Sequence, residues 1–156
     1  MNRDRIEVYV SGGRRLSDAF QGLSKSDLLA TPIPGTWSLQ QIAVHMLDSD
    51  LIASDRMKRI AAMKTPLLIG YDETAFSQLP GTNEIDALEA CDLFDRNRHM
   101  TAIILRHLPD QAFQRVGVHN ESGLVTLEQM VDRYIDHLEG HLVHVRKKRA
   151  LLGKPI

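Results

Sequence analysis

Apolar residues recur every three to four positions in four long stretches of the chain, whereas the alternation typical of strands is scarce. This periodicity predicts four amphipathic helices. Gly12-Gly13 weakens the pattern in the middle of the first helix, Pro109 stops the third, and Gly153 and Pro155 end the fourth. The predicted helices cover about residues 3–23, 38–63, 84–108 and 126–152.

The connections between these helices are longer than a simple bundle needs. Residues 24–37 contain Pro32, Pro34 and Gly35, which do not continue a helix. Residues 64–83 and 109–125 also contain Pro and Gly, and connections of this length usually carry function or short helices of their own. We therefore expect residues 1–156 to form one all-α domain, a four-helix bundle with long crossover loops.

Two of the helices begin with the same capping signal. Ser38 and Gln41 form an S-x-x-Q capping box, and Thr126 and Gln129 repeat it. Because such caps fix where a helix begins, they also fix the directions in which its side chains point. The second and fourth helices are therefore the ones whose starts are most firmly predicted.

Composition and charge narrow the class of protein. The 156 residues suffice for one domain, and 19 basic against 20 acidic side chains leave no broad basic surface for nucleic acid. No apolar run has the length of a membrane span, and the first ten residues lack a signal-peptide core. The single Cys91 excludes an internal disulfide. We expect a cytoplasmic protein that binds a small molecule and neither nucleic acid nor membrane.

Histidines are the candidate chemistry, because four of the seven fall in the last quarter of the chain. His137 and His141 have i, i+4 spacing, which places both imidazoles on one helix face. They flank the apolar stripe instead of occupying its centre. Spacing alone fits a metal-binding pair and a solvated or packed pair about equally well. The stripe itself consists of Leu127, Val131, Leu138, Leu142 and Val145.

His45 is the best candidate for a third ligand, because it lies in an apolar stretch whose face should point into the bundle. Three neutral imidazoles suit Zn, Ni, Fe(II) or Co(II) and leave positions open for water or substrate. Asp48 follows His45 by three residues and could orient an imidazole or accept a proton, but a solvated carboxylate fits equally. Tyr134 could line a pocket or fill the core.

Other candidates have ordinary interpretations. His144 should lie partly exposed at the helix edge, and His99 and His107 should be structural or solvated. Cys91 lies among apolar residues, which predicts a buried and unreactive thiol. The basic run at residues 146–149 offsets the dipole at a helix end.

Three motifs together resemble the signature of the DinB-like superfamily. They are PGTWSLQQIAVHMLDS at residues 34–49, the H-x-x-x-H from His137 to His141, and Gly123-Leu-Val-Thr-Leu127 before the last helix. The resemblance implies an up-down-down-up four-helix bundle, commonly a homodimer. It also implies a divalent metal, such as nickel, zinc or iron, on His45, His137 and His141.

The resemblance also suggests an activity. Some members of the superfamily join a low-molecular-weight thiol to electrophiles. The segment Gly70–Glu73, followed by Phe76 and Leu79-Pro80, is similar to the bacillithiol S-transferase subgroup, and so is His119. A thiol S-transferase is therefore the leading hypothesis, with such a thiol as co-substrate. A metal-dependent hydrolase that uses water as its nucleophile and a non-catalytic, metal-stabilised stress-response protein remain the alternatives.

Overall fold

A computed structural model of the protein describes residues 3–156. Four long helices dominate it, which confirms the predicted all-α class, and two short helices lie in the connections. The long helices are α1 (Asp4–Phe20), α3 (Leu39–Ala62), α5 (Ala87–His107) and α6 (Leu127–Leu151), and the short ones are α2 (Lys25–Leu29) and α4 (Glu73–Ser77).

The predicted capping boxes mark the starts of α3 and α6. Ser38 and Thr126 are the N-caps, and each exchanges hydrogen bonds with the glutamine three residues later. The predicted start of α5 at Glu84 was wrong by three residues. Glu84 ends a short 3-10 turn, and Asp86 is the N-cap, since its carboxylate accepts from two backbone amides of the first turn.

Helices α1 and α6 pack side by side and run in the same direction. Near their starts, Arg5 Nε donates to Asp132 Oδ1 over 2.6 Å, and near their ends Arg149 Nη1 donates to the carbonyl of Ala19 over 3.0 Å. Contacts at both ends between residues in the same order require parallel helices.

Helix α5 runs against α1 and alongside α3. The end of α5 meets the start of α1 where Arg106 Nε donates to Glu7 Oε1, and the starts of α3 and α5 meet where Gln40 Nε2 donates to the carbonyl of Ile85. The order is therefore up-down-down-up, as predicted. A chain that leaves α3 and begins α5 in the same direction must return along the bundle, which explains the long connection at residues 63–86.

The two long connections meet in a small sheet that the sequence pattern did not predict. Strands β1 (Leu67–Leu68), β2 (Val116–His119) and β3 (Gly123–Thr126) lie in that order, with β1 parallel to β2 and β2 antiparallel to β3. Strands this short cannot show a recognisable alternation. The sheet fixes the crossover loops against α3 and α6, where they wall the candidate site.

The core lies between the four long helices, and the predicted stripe of α6 faces it. Helix α1 continues unbroken through Gly12 and Gly13. The absence of side chains at these glycines allows neighbouring helices to pack closely. A Cβ atom at Gly13 would approach the Cα of Asp95 on α5 to 2.8 Å. No helix among residues 3–156 combines the length and apolarity needed to cross a membrane. The buried stripe residues are Leu127, Val131, Leu138, Leu142 and Val145.

Candidate metal centre

The three histidines named from the sequence lie together in the bundle and are called here the histidine triad. His45 extends from α3, and His137 and His141 extend from α6. The Nε2 atom of His137 lies 3.1 Å from the Nε2 of His45 and 3.1 Å from the Nε2 of His141. One ring nitrogen from each residue falls within 4.8 Å of the other two, so the group could hold one ion.

The geometry of the histidine triad fits a divalent cation. Ligand nitrogens around a tetrahedral zinc, each bonded at about 2.05 Å, are separated by about 3.3 Å. The two distances from the Nε2 atom of His137, 3.1 Å each, are close to that value. The buried Nδ1 atoms of His137 and His141 have no hydrogen-bond partner among the described residues. The Nε2 atoms are the ones that converge, and three neutral imidazoles offer lone pairs there that a cation between the rings would share.

Burial keeps the imidazoles of the histidine triad neutral. It lowers the pKa of His137 to about 3, helped by the neighbouring His141 and His45. It also lowers the pKa of His45 and of His141 to about 4, with His141 and His144 respectively as minor causes. Neutral imidazole is the form that binds metal, so the residues are ready to coordinate at neutral pH.

Trp37 packs against the histidine triad. Its ring is 4.8 Å from the ring of His45, centroid to centroid, and lies parallel to that of His141 at 6.2 Å. Because two of the imidazoles have unpartnered Nδ1 atoms, ring packing is what orients them. Sequence reasoning placed Trp37 before the capped helix but gave it no role at the site.

Two separate cavities reach the histidine triad. The first, called here the charged cavity, has a volume of about 180 Å³ and includes His137 in its wall. The second, the apolar cavity, has a volume of about 320 Å³ and includes His141. The walls of the charged cavity also contain Ser49, Arg56, Gly70, Tyr71, Glu73, His119, Glu121, Arg133 and Tyr134, and those of the apolar cavity Ile33, Trp37, Ile42, His144 and Lys148.

Tyr134 both packs in the core and lines a cavity, the two roles that its sequence position allowed. It is buried against the core, and its hydroxyl accepts a hydrogen bond from Arg56 Nη1 over 3.0 Å in the wall of the charged cavity. Its ring meets that of His137 edge-on at 6.0 Å. Tyr134 therefore connects Arg56 to the histidine triad.

Asp48 is half-buried on α3, and burial raises the pKa of its carboxyl. Within residues 3–156 no hydrogen bond joins it to an imidazole of the histidine triad, so its catalytic role stays a prediction. His144 is exposed, as expected, although its ring borders the apolar cavity. His99 and His107 are also exposed, and each contacts a backbone carbonyl of its own helix through Nδ1.

Several site residues had no sequence signal. Arg56 lacks any motif, and Glu73 was noted only through the family resemblance. Both line the charged cavity because the crossover after α3 folds back over that helix. Lys148 belongs to the basic run expected to offset the helix dipole, but it is buried and donates to Thr36 Oγ1 at the apolar cavity. His119, noted only through the family resemblance, lines the charged cavity, where its Nδ1 accepts from the amide of Glu121 over 3.2 Å.

The sequence model of the DinB superfamily matches residues 9–145. This chain belongs to the DinB superfamily. YfiT of Bacillus subtilis, whose name places it provisionally among the metal-dependent hydrolases, is 27% identical over 149 residues, which are 95% of this DinB chain and 84% of YfiT. A protein of Oceanobacillus iheyensis with a name of the same form is 25% identical over 142 residues, covering 91% and 80% of the two chains.

A solved structure agrees with this membership. A structure of YfiT, described as a probable metal-dependent hydrolase with an unusual four-helix bundle topology, has a TM-score of 0.90 and 26% identity, covering 96% of this DinB chain and 86% of the other. A mycothiol-dependent maleylpyruvate isomerase has a TM-score of 0.69 at 11% identity, covering 90% and 58%. The latter likeness concerns the fold alone.

Proposed function

We propose that this protein is a metal-dependent thiol S-transferase, which holds one divalent ion (zinc, nickel or iron) on the histidine triad and joins a low-molecular-weight thiol to an electrophile. The observation that carries the proposal is that two cavities of different polarity adjoin the one histidine triad, the charged cavity at His137 and the apolar cavity at His141. A divalent ion held there would bring the pKa of a water or thiol beside it toward neutrality.

The ligand set favours strong polarisation of a nucleophile. The three imidazoles are neutral donors, so they leave the full positive charge of an ion to act on whatever fills the open positions. Trp37 and the core hold the rings of His45 and His141 in place, so little reorganisation is needed when the site is loaded.

The two cavities suit two different substrates. In the charged cavity, Arg56 and Tyr134 present hydrogen-bonding groups beside His137 and can orient a polar nucleophile. In the apolar cavity, Ile33, Ile42 and Trp37 supply an apolar surface that suits an apolar electrophile. A transfer reaction needs both places, whereas hydrolysis needs only one organic substrate.

Asp48 is the proposed proton acceptor. Its carboxyl lies one turn along α3 from His45, and partial burial brings its pKa closer to that of a thiol. We expect Asp48→Asn to lower kcat while the metal content stays the same. An unchanged kcat would leave Asp48 as an ordinary surface carboxylate.

Hydrolysis is the second candidate, because YfiT and other relatives carry names of metal-dependent hydrolases. The same three histidines would serve, with water as the nucleophile. Homodimerisation and a cytoplasmic location also remain proposals, and light scattering of the purified protein tests the former.

The deciding experiment supplies metal-loaded protein with a generic electrophile, with and without thiol, and separately with a model ester and no thiol. We expect consumption of the electrophile only with thiol, lost in His137→Ala and retained in His107→Ala, whose exposed histidine lies outside the site. Ester turnover without thiol would favour the hydrolase. A metal-dependent rise in Tm with no turnover of either kind would instead support a non-catalytic, metal-stabilised protein.

A further inference from the structure

Arg56 is a buried cation without a counter-ion. Only 6% of its surface is exposed, and among residues 3–156 no carboxylate oxygen lies within 4.0 Å of it. Its guanidinium donates to the Tyr134 hydroxyl and, over 2.5 Å, to the carbonyl of Ile69, while its buried Nε has no partner. A buried charge is costly unless it is paired, so this side of the charged cavity is complementary to an anion.

Two carboxylates face the same cavity and also lack a counter-ion. Glu73 and Glu121 both line it, and within the described part of the chain neither has a cationic nitrogen within 4.0 Å. Burial, and then repulsion from Glu121, raises the pKa of Glu73. The Glu121 carboxylate lies over Gly70, where a Cβ atom would approach Oε1 to 2.6 Å. Arg133 also belongs to the wall but donates to Ser122 Oγ over 3.3 Å, so the two carboxylates leave this side of the cavity complementary to a cation.

The opposite charges share one cavity but do not pair with each other. Arg56 acts on Glu73 only through its longer-range field, which is a minor influence on the pKa of that carboxyl. A volume of about 180 Å³ separates and surrounds these groups. That space would hold about six waters at liquid density, which is enough for the head group of an amino acid.

We propose that the charged cavity is a zwitterion subsite, in which Arg56 binds a carboxylate and Glu73, assisted by Glu121, binds an ammonium group. This inference rests on the proposed thiol transfer and names its nucleophile. Because His137 belongs to the same wall, a molecule held by both charges extends its remaining arm toward the histidine triad. The thiol substrate is therefore an aminothiol that also carries a carboxylate.

Four thiols distinguish the contribution of the carboxylate from that of the ammonium group. L-Cysteine has both groups, cysteamine only the ammonium, 3-mercaptopropionate only the carboxylate, and 2-mercaptoethanol neither. The measurement is kcat/KM with one electrophile, corrected for each uncatalysed rate, with metal content confirmed after incubation. We expect L-cysteine to exceed 2-mercaptoethanol at least about tenfold, in keeping with two charge-assisted contacts. Equal values for all four thiols would overturn the zwitterion subsite.

Substitutions assign each charge to a residue. In Arg56→Gln the advantage of a carboxylate should disappear, and in Glu73→Gln the advantage of an ammonium should disappear. Arg59→Gln is the matched control, because Arg59 lies on the same helix but is exposed and paired with Asp55. Because Arg56 is buried, Arg56→Gln places an uncharged residue in the core. Arg56→Lys keeps a charge there, and Glu73 is exposed, so Arg56→Lys and Glu73→Gln test the subsite without that change. Preferences that stay unchanged in all three cavity variants would contradict the assignment.

A binding measurement distinguishes failure of the subsite from failure of the transferase. L-Serine has the same charges and no thiol, and its binding is measured by calorimetry on metal-loaded protein and again after chelation. We expect L-serine to bind both the metal-loaded and the chelated protein. In Glu73→Gln its affinity should fall at least about tenfold in both states. If no thiol is ever transferred but L-serine binds in this way, the subsite stands and the transferase fails. If thiols are transferred without charge preference and L-serine does not bind, the reverse holds.

Discussion

Two buried polar clusters of the bundle differ in how far their groups are satisfied. In the first, here called the arginine network, Arg98 Nε donates to Asp50 Oδ1 over 2.8 Å, and its other nitrogens donate to the carbonyls of Tyr9 and Tyr134 over 2.9 and 2.8 Å. The guanidinium also lies 4.3 Å from the ring centroids of Tyr9 and Phe94. Every nitrogen of this guanidinium has a partner.

The histidine triad lies in the same bundle and has the opposite character. Two of its Nδ1 atoms are buried without partners, its Nε2 atoms meet one another, and cavities adjoin it. The arginine network joins α1, α3, α5 and α6, whereas the histidine triad joins only α3 and α6. The arginine network satisfies its own groups and joins the helices, whereas the converging Nε2 atoms of the histidine triad could hold one ion.

The largest expected effect breaks the arginine network. Asp50→Ala leaves the Arg98 charge buried without its carboxylate, so the free energy of unfolding should fall by about 3–5 kcal/mol. Urea unfolding of the metal-free protein measures it. Glu7→Ala is the control, because it removes an exposed carboxylate from Arg106 and should cost less than about 1 kcal/mol. Equal losses in the two variants would show that the arginine network is not what holds the helices.

The second prediction distinguishes the histidine triad from the arginine network by the effect of bound metal on stability. With an ion at 100 times its Kd, the unfolding free energy of the wild type should rise by about 2.7 kcal/mol. His137→Ala should lose most of that increment and its bound metal, because two imidazoles remain, while Asp50→Ala should keep the increment on a lower baseline. Metal analysis and thermal unfolding measure both, with His107→Ala as control. A full increment in His137→Ala would disprove coordination by the histidine triad.

The parts of this comparison that could be predicted from sequence are the local ones. Ser38 and Thr126 fix their helix starts through hydrogen bonds that span three residues, so the starts were correct. The i, i+4 pair of α6 follows from helix geometry. His45 is 92 residues away from His137. It was assigned as the third ligand mainly through the family resemblance, since no spacing rule covers such a distance along the chain.

The parts that could not be predicted depend on distant segments. Strand β1 has two residues and exists because it pairs with Val118 and His119, which are supplied by another connection. The same folding back of the chain brings Glu73 toward Arg56, which no periodicity encodes. Gly13 was interpreted as a weakness of α1, whereas it permits the approach of α5 at Asp95.

The third prediction compares packing density near the two clusters. Gly13→Ala should lower the free energy of unfolding by about 1–3 kcal/mol, because the new methyl group meets the backbone of Asp95. Gly140→Ala, on α6 between His137 and His141, meets open space and should raise it by about 0.5–1 kcal/mol through helix propensity. Urea midpoints of the metal-free variants measure both. The same sign for the two substitutions would contradict the difference in packing.

The smallest expected effect concerns Cys91, the one thiol of the chain, which is buried on α5. Burial, with repulsion from Asp92 and Asp86, raises its pKa to about 12, so at pH 8 only about one molecule in ten thousand carries the thiolate. Alkylation of the folded protein at pH 8 should therefore be negligible, while the urea-unfolded protein should take up one equivalent. Cys91→Ala should leave the kcat of thiol transfer unchanged. Rapid alkylation of the folded protein, together with loss of transfer in Cys91→Ala, would show that the Cys91 thiol is the nucleophile. Neither cavity would then need to bind a thiol substrate.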